Sequence, residues 1–486
     1  MAGIVVAVLH PLAAQEPAPH EPSAQAVASA LQQLAVQAIA RAESSVVAIA
    51  RLPRDPSRRG DQLGGLLLPG TSRQDPTDRA HLPQEFGSGV VLDASGLILT
   101  ARHVVGDPQT ADYQVWVARR PYPARLKAAD PWFDLAVLQV EARGLTPIPL
   151  GDGRAVRKGQ LVIALGNPYA IARDGQPSAS LGILSNVDRL APPLPAGRGS
   201  DGRETLHHWG TLLQTDARLE LGSSGGALVN LQGEMIGLTV SLAALAGYEQ
   251  PGGFAIPVTE EFHRVVELLK AGRVPDYGFL GVEPGPLTAQ QRQAGRPGTR
   301  VLDVVPATPA AQAGLQVGDV ITHLEGRPIG DRLDLFREVS SRLAGSTITL
   351  QLLRGSDGAR PGRPTTVQVT LSKKRLETSR TPWAEVPSFS WRGLKVDYAT
   401  AAPLFNERCR DLDPAGCVGV VEVVRDSPAW QAGLRVGDFI SHVAGRRVTT
   451  PLEFEQAVQE LPGEVLLRLT GLPEATASLT RTVPAP

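Results

Sequence analysis

The 486-residue sequence is poor in cysteine, with only Cys409 and Cys417. Two cysteines exclude a disulfide-stapled scaffold, and with no histidine between them they do not make a zinc site. Two readings stay open for this pair, a bridge in an oxidising compartment or two buried free thiols. Aromatic residues are 5% of the chain, so its cores must be aliphatic. No apolar run reaches the roughly 18 residues that a membrane-spanning helix needs, so no transmembrane span is expected. An excess of charge of either sign is also missing. Lys and Arg number 48 and Asp and Glu 49, for a net charge of −1. That excludes a protein that holds nucleic acid by bulk charge, and a strongly charged disordered chain. There is no phosphate loop or dinucleotide fingerprint, and no cofactor is expected. His207-His208-Trp209, near Asp201 and Glu204, makes only a weak metal cluster and reads as a loop, so no metal site is assigned.

What is abundant is glycine and proline, 50 and 41 residues, with no collagen period. They mark many turns, hence β-rich domains, and the length suggests roughly three of them. Residues 1–23 read as a signal or disordered N-terminus. An apolar run from Ile4 to Leu9 precedes Pro11-Leu12-Ala13-Ala14-Gln15, which looks like a cleavage region, although no Lys or Arg occurs before Arg41. We expect a clipped export signal. Val27, Leu31, Leu34 and Ala38 then recur at helical spacing up to about Arg41. Residues 52–85 read as a long surface loop. From Gly87 to Pro257 short apolar runs such as Leu97–Thr100, Leu135–Val140, Leu161–Leu165 and Met235–Val240 alternate with turn residues, the pattern of an all-β barrel or sandwich. A helix over Thr259–Ala271 follows, with Phe262, Val265, Val266 and Leu269 as its apolar stripe and Gly272 as its stop.

An internal repeat organises the second half. Residues 308–327, TPAAQAGLQVGDVITHLEGR, and 427–446, SPAWQAGLRVGDFISHVAGR, are identical at 13 of 20 positions. Each copy sits in a unit of single-domain size. Residues 375–388 between them, polar and Pro-containing, read as a linker.

Three segments in the β-rich half carry nucleophilic chemistry. Ser224 lies in Gly222-Ser223-Ser224-Gly225-Gly226, where glycines let backbone N–H groups converge on a developing oxyanion. A serine hydroxyl needs a histidine base, and that histidine needs an acid to hold its tautomer. His103 directly follows a buried strand in Thr100-Ala101-Arg102-His103, and Asp134 opens the apolar run of Asp130-Pro131-Trp132-Phe133-Asp134-Leu135. Gly222-x-Ser224-x-Gly226 also fits the nucleophile elbow of α/β-hydrolases. That fold requires a helix after the serine and the order Ser, Asp, His, whereas here a strand follows and the order is His, Asp, Ser.

These segments resemble the HtrA (Deg) family. The matching stretches are LTARHVV (99–105), DPWFDLAVLQV (130–140), VIALGNPY (162–169), QTDARLELGSSGGALVN (214–230) and GGFAIPV (252–258). The resemblance implies a mostly β fold, a trypsin-like double β-barrel protease domain over 24–272 followed by two PDZ domains of α+β type, over 277–374 and 389–475. It implies His103 as general base, Asp134 as its orienting acid, Ser224 as nucleophile, and the N–H groups of Gly222 and Ser224 as the oxyanion hole. Ser223 stands where the family usually has Asn, and Ala227 where it usually has Pro. The stretch 241–251, which would shape the specificity pocket, departs from the commoner family loop.

The repeats look like PDZ domains, which add a ligand strand to a sheet edge and hold its carboxylate on backbone N–H groups. The matching loop is Phe279-Leu280-Gly281-Val282 in the first copy and Trp391-Arg392-Gly393-Leu394 in the second. Arg392 replaces an apolar residue there, which leaves two readings: a domain that only packs, or an arginine that assists a carboxylate. The resemblance further implies an exported, periplasmic serine endopeptidase acting on unfolded or misfolded polypeptides, with C-terminal peptides as PDZ ligands, no nucleic-acid partner, and assembly as a homo-oligomer, a trimer. Two other readings share these residues. One is a PDZ-based binding protein or chaperone with a weak or regulatory protease domain, and the other is a narrow processing protease.

Overall fold

The computed structural model describes residues 23–54, 85–167, 176–191, 205–240, 253–293, 295, 297–355, 362–376, 381–471 and 479–485. All but Ser23 of the expected signal over 1–23, most of the expected loop over 52–85, and the specificity stretch 241–251 lie outside the described residues.

Helix α1 (Ala24–Ala42) opens the described chain, with the Ser23 hydroxyl accepting from the Ala26 N–H at 3.2 Å as its N-cap. The apolar spacing predicted this helix, yet Val27, Leu31 and Leu34 are exposed; only Ala38 and Ala42 near its end are buried. The helix touches the body at its last turns, where Arg41 donates to the Gln232 carbonyl at 2.7 Å.

Strands β1 (Val46–Pro53), β2 (Glu85–Val91), β3 (Leu97–Ala101), β4 (Ala111–Val117), β5 (Arg120–Asp130) and β6 (Leu135–Val140) pair in the order β5-β4-β1-β2-β3-β6, and β6 closes back on β5. A second closed barrel has the order β10-β11-β12-β9-β8-β7. Its strands are β7 (Leu161–Gly166), β8 (Ser178–Arg189), β9 (Leu212–Thr215), β10 (Ala227–Val229), β11 (Met235–Val240) and β12 (Gly253–Pro257). Strands β3, β10 and β11 are buried at every position. That explains why they read as apolar runs without a polar alternation, with Thr100 and Thr239 as their buried polar residues. Helix α3 (Glu260–Lys270), the next long helix after the short turn α2 (Arg102–Val105), buries Phe262, Val265, Val266 and Leu269 as the spacing foretold. Full burial of a side chain such as Phe262 contributes about 2–3 kcal/mol.

Each repeat forms its own sheet. The first contains β14 (Val282–Gly285), β15 (Thr299–Val304), β16 (Val320–Leu324), β18 (Thr347–Arg354) and β19 (Arg363–Thr370) in that order, with β17 (Arg327–Pro328) on β16. The pair β13 (Gly278–Phe279) and β20 (Ser372–Lys373) closes it, and α4 (Arg332–Ser340) packs across it. Strand β21 (Trp383–Ala384) falls between the repeats. The second copy repeats the plan with β22 (Leu394–Tyr398), β23 (Val418–Val423), β24 (Phe439–Val443), β26 (Val465–Thr470) and β27 (Thr480–Val483). Here β25 (Arg446–Arg447) pairs with β24, and α5 (Pro451–Gln459) takes the place of α4. The repeated sequence itself is a helical turn, Pro309–Gln312 or Pro428–Gln431, followed by β16 or β24. It is therefore a fold-forming motif. The stretch read as a linker, 375–388, contains β21, which pairs with β5 of the first barrel.

Candidate active site

His103 sits on α2, a single turn that begins where β3 ends. The turn is fixed to the segment between β5 and β6, because the Arg102 N–H donates to the Asp134 carbonyl at 2.8 Å. Asp134 is buried and holds a left-handed backbone, φ +55°. A non-glycine residue there carries strain of about 1 kcal/mol or more, which the surrounding contacts must offset. Its carboxylate holds His103 twice. Oδ1 accepts the His103 backbone N–H at 3.0 Å, and Oδ2 lies 2.6 Å from Nδ1 of the ring. An ionised carboxylate only accepts, so Nδ1 carries the proton and Nε2 is left as the basic nitrogen. Nε2 is buried and makes no hydrogen bond among the described residues.

The turn that carries Asp134 is itself braced. Asp130, fully buried at the end of β5, accepts the N–H groups of Trp132 at 3.1 Å and Phe133 at 3.0 Å. It also accepts the hydroxyl of Tyr277, from the segment leading into the first repeat. Burial pushes the Asp130 carboxyl up to about 6. Burial, with the neighbouring carboxylate, also raises the Tyr277 phenol well above its ordinary value. On the far side, His207 lies between the Phe133 carbonyl, 2.8 Å from Nε2, and Thr211 Oγ1, 2.7 Å from Nδ1. Burial pulls this imidazole down to about 4 and keeps it neutral. His207-His208-Trp209, expected as a loop, is a short 3-10 helix (Leu206–Trp209) whose first histidine supports the turn beside Asp134. No cluster of three or more His, Cys, Asp or Glu among the described residues suits a metal ion.

Ser224 is buried at the end of a tight turn. The Ser223 N–H donates to the Glu220 carbonyl at 3.0 Å, with Gly222 third in the four-residue turn at φ +97°. A type II turn needs positive φ at that position. A β-carbon on Gly222 would fall 2.6 Å from the Asn167 carbonyl oxygen and 2.6 Å from the Phe86 ring. The Gly222 N–H belongs to the central peptide of the turn and is not used in its closing bond, as an oxyanion donor requires. Strand β2 ties this loop to the first barrel. The Ser88 N–H donates to the Ser224 carbonyl at 2.8 Å, and the Ser88 hydroxyl to the Gly222 carbonyl at 2.7 Å. Gly87 is the point of closest approach: a β-carbon there would lie 2.6 Å from Val104, next to His103, and 3.2 Å from the Ser224 carbonyl oxygen. His103 and Asp134 are thus joined directly, and the turn of Ser224 meets the segment after His103 across Gly87. A cavity of about 270 Å³ adjoins the serine turn, lined by Ala164, Gly166, Ser180, Leu219, Glu220 and Ser223 among others.

The two PDZ-like loops differ. In the first, Phe279 pairs with Ser372, Leu280 is buried in the core, and Gly281 has φ +89°. Val282 begins edge strand β14. In the second, Trp391 and Leu394 exchange both backbone hydrogen bonds at 2.8 Å, which folds the loop on itself. Arg392, at φ +51°, does not reach outward for a carboxylate. Its guanidinium donates to the carbonyls of Leu461, Pro462 and Gly463, at 3.0, 3.1 and 2.7 Å, and of Val483 and Pro484, at 3.2 and 2.7 Å. Cys409 and Cys417 are buried free thiols, not a bridge. Burial pushes Cys417 up to about 12, so it stays protonated.

A double barrel with histidine, aspartate and serine at its seam defines a trypsin-like peptidase, here followed by two PDZ units. Residues 87–238 match the trypsin-like peptidase domain family, and 278–371 and 419–470 match two PDZ domain families. The chain belongs to the HtrA (Deg) family of serine endoproteases. It is 31% identical over 402 residues, 81% of this chain and 80% of the relative, to the periplasmic pH-dependent serine endoprotease DegQ of Escherichia coli (strain K12). It is 32% identical over 409 residues, 83% of this chain and 81% of the relative, to a probable periplasmic serine endoprotease DegP-like of Ectopseudomonas mendocina (strain ymp). A solved HtrA-type protease, AlgW with tripeptide, matches 69% of this chain and 96% of that chain at 26% identity and a TM-score of 0.49.

Proposed function

We propose that Ser224 is the nucleophile, His103 its general base and Asp134 the group that orients the base and stabilises its imidazolium, in peptide-bond hydrolysis through an acyl-enzyme. The observation that carries this is the double hold of Asp134 on His103, with Ser224 brought to the same seam across Gly87. His103 Nε2 takes the Ser224 proton as Oγ attacks the scissile carbonyl. The N–H groups of Gly222 and Ser224 receive the oxyanion. The imidazolium then protonates the leaving amine, and water, deprotonated by the same nitrogen, releases the acyl group.

The domains are divided as 24–272 for the protease and 277–374 and 389–475 for the PDZ units. The protein works after export, in the periplasm, on unfolded or misfolded polypeptides, as a homotrimer. The curated relatives are named periplasmic endoproteases, and no helix among the described residues is long and apolar enough to cross a membrane. The first PDZ unit, with β14 at a sheet edge, takes C-terminal peptides.

The test compares the protein with Ser224→Ala on a denatured protein mixture, with cut sites read by mass spectrometry. Cuts made only by the parent protein support the reading, and a broad set of sites supports quality control over narrow processing. Equal cutting by both proteins would overturn the assignment of Ser224.

A further inference from the structure

Strand β5 outruns its neighbour. Its first half, Arg120 to Ala124, pairs with β4, and the stretch from Ala124 to Asp130 pairs with β6. On the β4 side, therefore, the last residues of β5 have no strand of the barrel beside them. An unfilled edge of this kind invites a strand from elsewhere. Trp383 and Ala384 of β21 fill it, antiparallel, opposite Ala129 and Ala128. The Glu385 N–H adds a bond to the Lys127 carbonyl at 3.0 Å. The Glu385 carboxylate pairs with Arg125 and, at 2.6 Å, with Lys127. Val386 fixes the far end through its N–H to the Gly272 carbonyl at 3.0 Å.

This strand touches the neighbours of both Asp134 and His103, not the two residues themselves. On one side it lines the end of β5, one residue from Asp130, whose carboxylate shapes the turn carrying Asp134. On the other, the Thr381 carbonyl accepts from the guanidinium of Arg102 at 3.2 Å. Arg102 is buried, precedes His103, and ties its own N–H to the Asp134 carbonyl.

We infer that residues 381–386, between the two PDZ units, are a positioning strand that holds the His103–Asp134 pair in working geometry. The inference rests on the catalytic reading above. None of these residues touches substrate in this role. They act through β5 and Arg102, and a misplacement of about 1 Å in such a pair costs on the order of 100-fold in rate.

The test is made on the full chain with Glu385→Lys, which sets like charge against Arg125 and Lys127. A second variant, Lys127→Glu with Glu385→Lys, restores opposite charge across the strand. Three readouts are taken: kcat and KM on a short fluorogenic peptide, the rate at which a fluorophosphonate labels Ser224, and Tm. The expected result is a parallel fall of about tenfold or more in kcat and labelling rate for Glu385→Lys, with KM within about twofold and the fold intact, and recovery of both in the double variant. Where Glu385→Lys fails to fold, Trp383→Ala takes its place, with the same expected split. Unchanged labelling in a folded single variant would overturn the inference, as would a loss that the charge swap leaves unrecovered. A parent protein that is neither labelled nor active overturns the catalytic reading itself, and the inference with it.

Discussion

One carboxylate oxygen of Asp134 lies 2.6 Å from His103 Nδ1, and the other accepts the backbone N–H of that same histidine at 3.0 Å. The acid thus fixes both the tautomer of the ring and the position of the chain that carries it. Asp134→Asn presents an amide where Nδ1 needs an acceptor and favours the wrong tautomer. We expect kcat to fall by about 10³–10⁴-fold with KM little changed, measured on a short fluorogenic peptide.

Gly222→Ala places a methyl group against the Asn167 carbonyl in a residue that must keep φ +97°. The turn has to open, which moves the Gly222 N–H. Fluorophosphonate labelling of Ser224 is expected to slow by about 10²-fold or more, the scale of losing one oxyanion donor. A labelling rate equal to that of the parent would show that the turn tolerates a side chain.

His207 is kept neutral, its titration lowered by burial to about 4. In the unfolded chain it titrates near its ordinary value, so between about pH 6.5 and 4 the unfolded state binds the extra proton. Its contribution is full above that window and is lost as pH falls through it, by up to about 3 kcal/mol. His207→Gln should flatten this part of the acid side. Urea midpoints at pH 7, 6, 5 and 4.5 for parent and variant provide the check.

Asp130 gives the opposite sign. Burial raises its carboxyl to about 6, so the folded state is the one that binds the extra proton. Its contribution is present below the ordinary carboxylate range and is lost as pH rises through about 6. Asp130→Asn, whatever its constant cost, removes that slope. The Tm difference, variant minus parent, is expected to grow more favourable to the variant between pH 4 and 7. A difference that is flat with pH would refute the assignment.

The two PDZ units should differ as ligand binders. In the second, the loop is closed between Trp391 and Leu394, and Arg392 is committed to carbonyls within its own unit. Fluorescence anisotropy with a labelled C-terminal peptide is expected to give binding that Gly281→Trp abolishes in the full chain and that Gly393→Trp leaves unchanged. Loss of binding with Gly393→Trp alone would reverse the assignment.

Most of the first barrel was legible because its strands are apolar and bounded by turn residues. Strand β5 was not. Arg120–Asp130 carries two prolines and three basic residues and looks like a loop. Its hairpin turn, Ala118 and Arg119 at φ +45° and +73°, uses none of the glycine or asparagine that announces such a turn. Strand β21 is two residues in a polar stretch and owes its shape to the edge of β5, not to its own composition. Ser224, His103 and Asp134 stood out as candidates because each lies beside a strand end. Asp130 and Tyr277 did not: their roles depend on a contact across 147 positions, which no local pattern encodes. The stripe of α1 was legible as a helix but not as an exposed one, since spacing reports a face and not what covers it.

The strand that completes the edge of β5 is encoded roughly 250 residues after it, so its pairing becomes available to a growing chain only after the whole first PDZ unit. Until Trp383 emerges, both barrels can close while the edge beside the base stays bare. A fragment ending after the first PDZ unit would therefore carry an open β edge one residue from Asp130, a template for pairing with another chain.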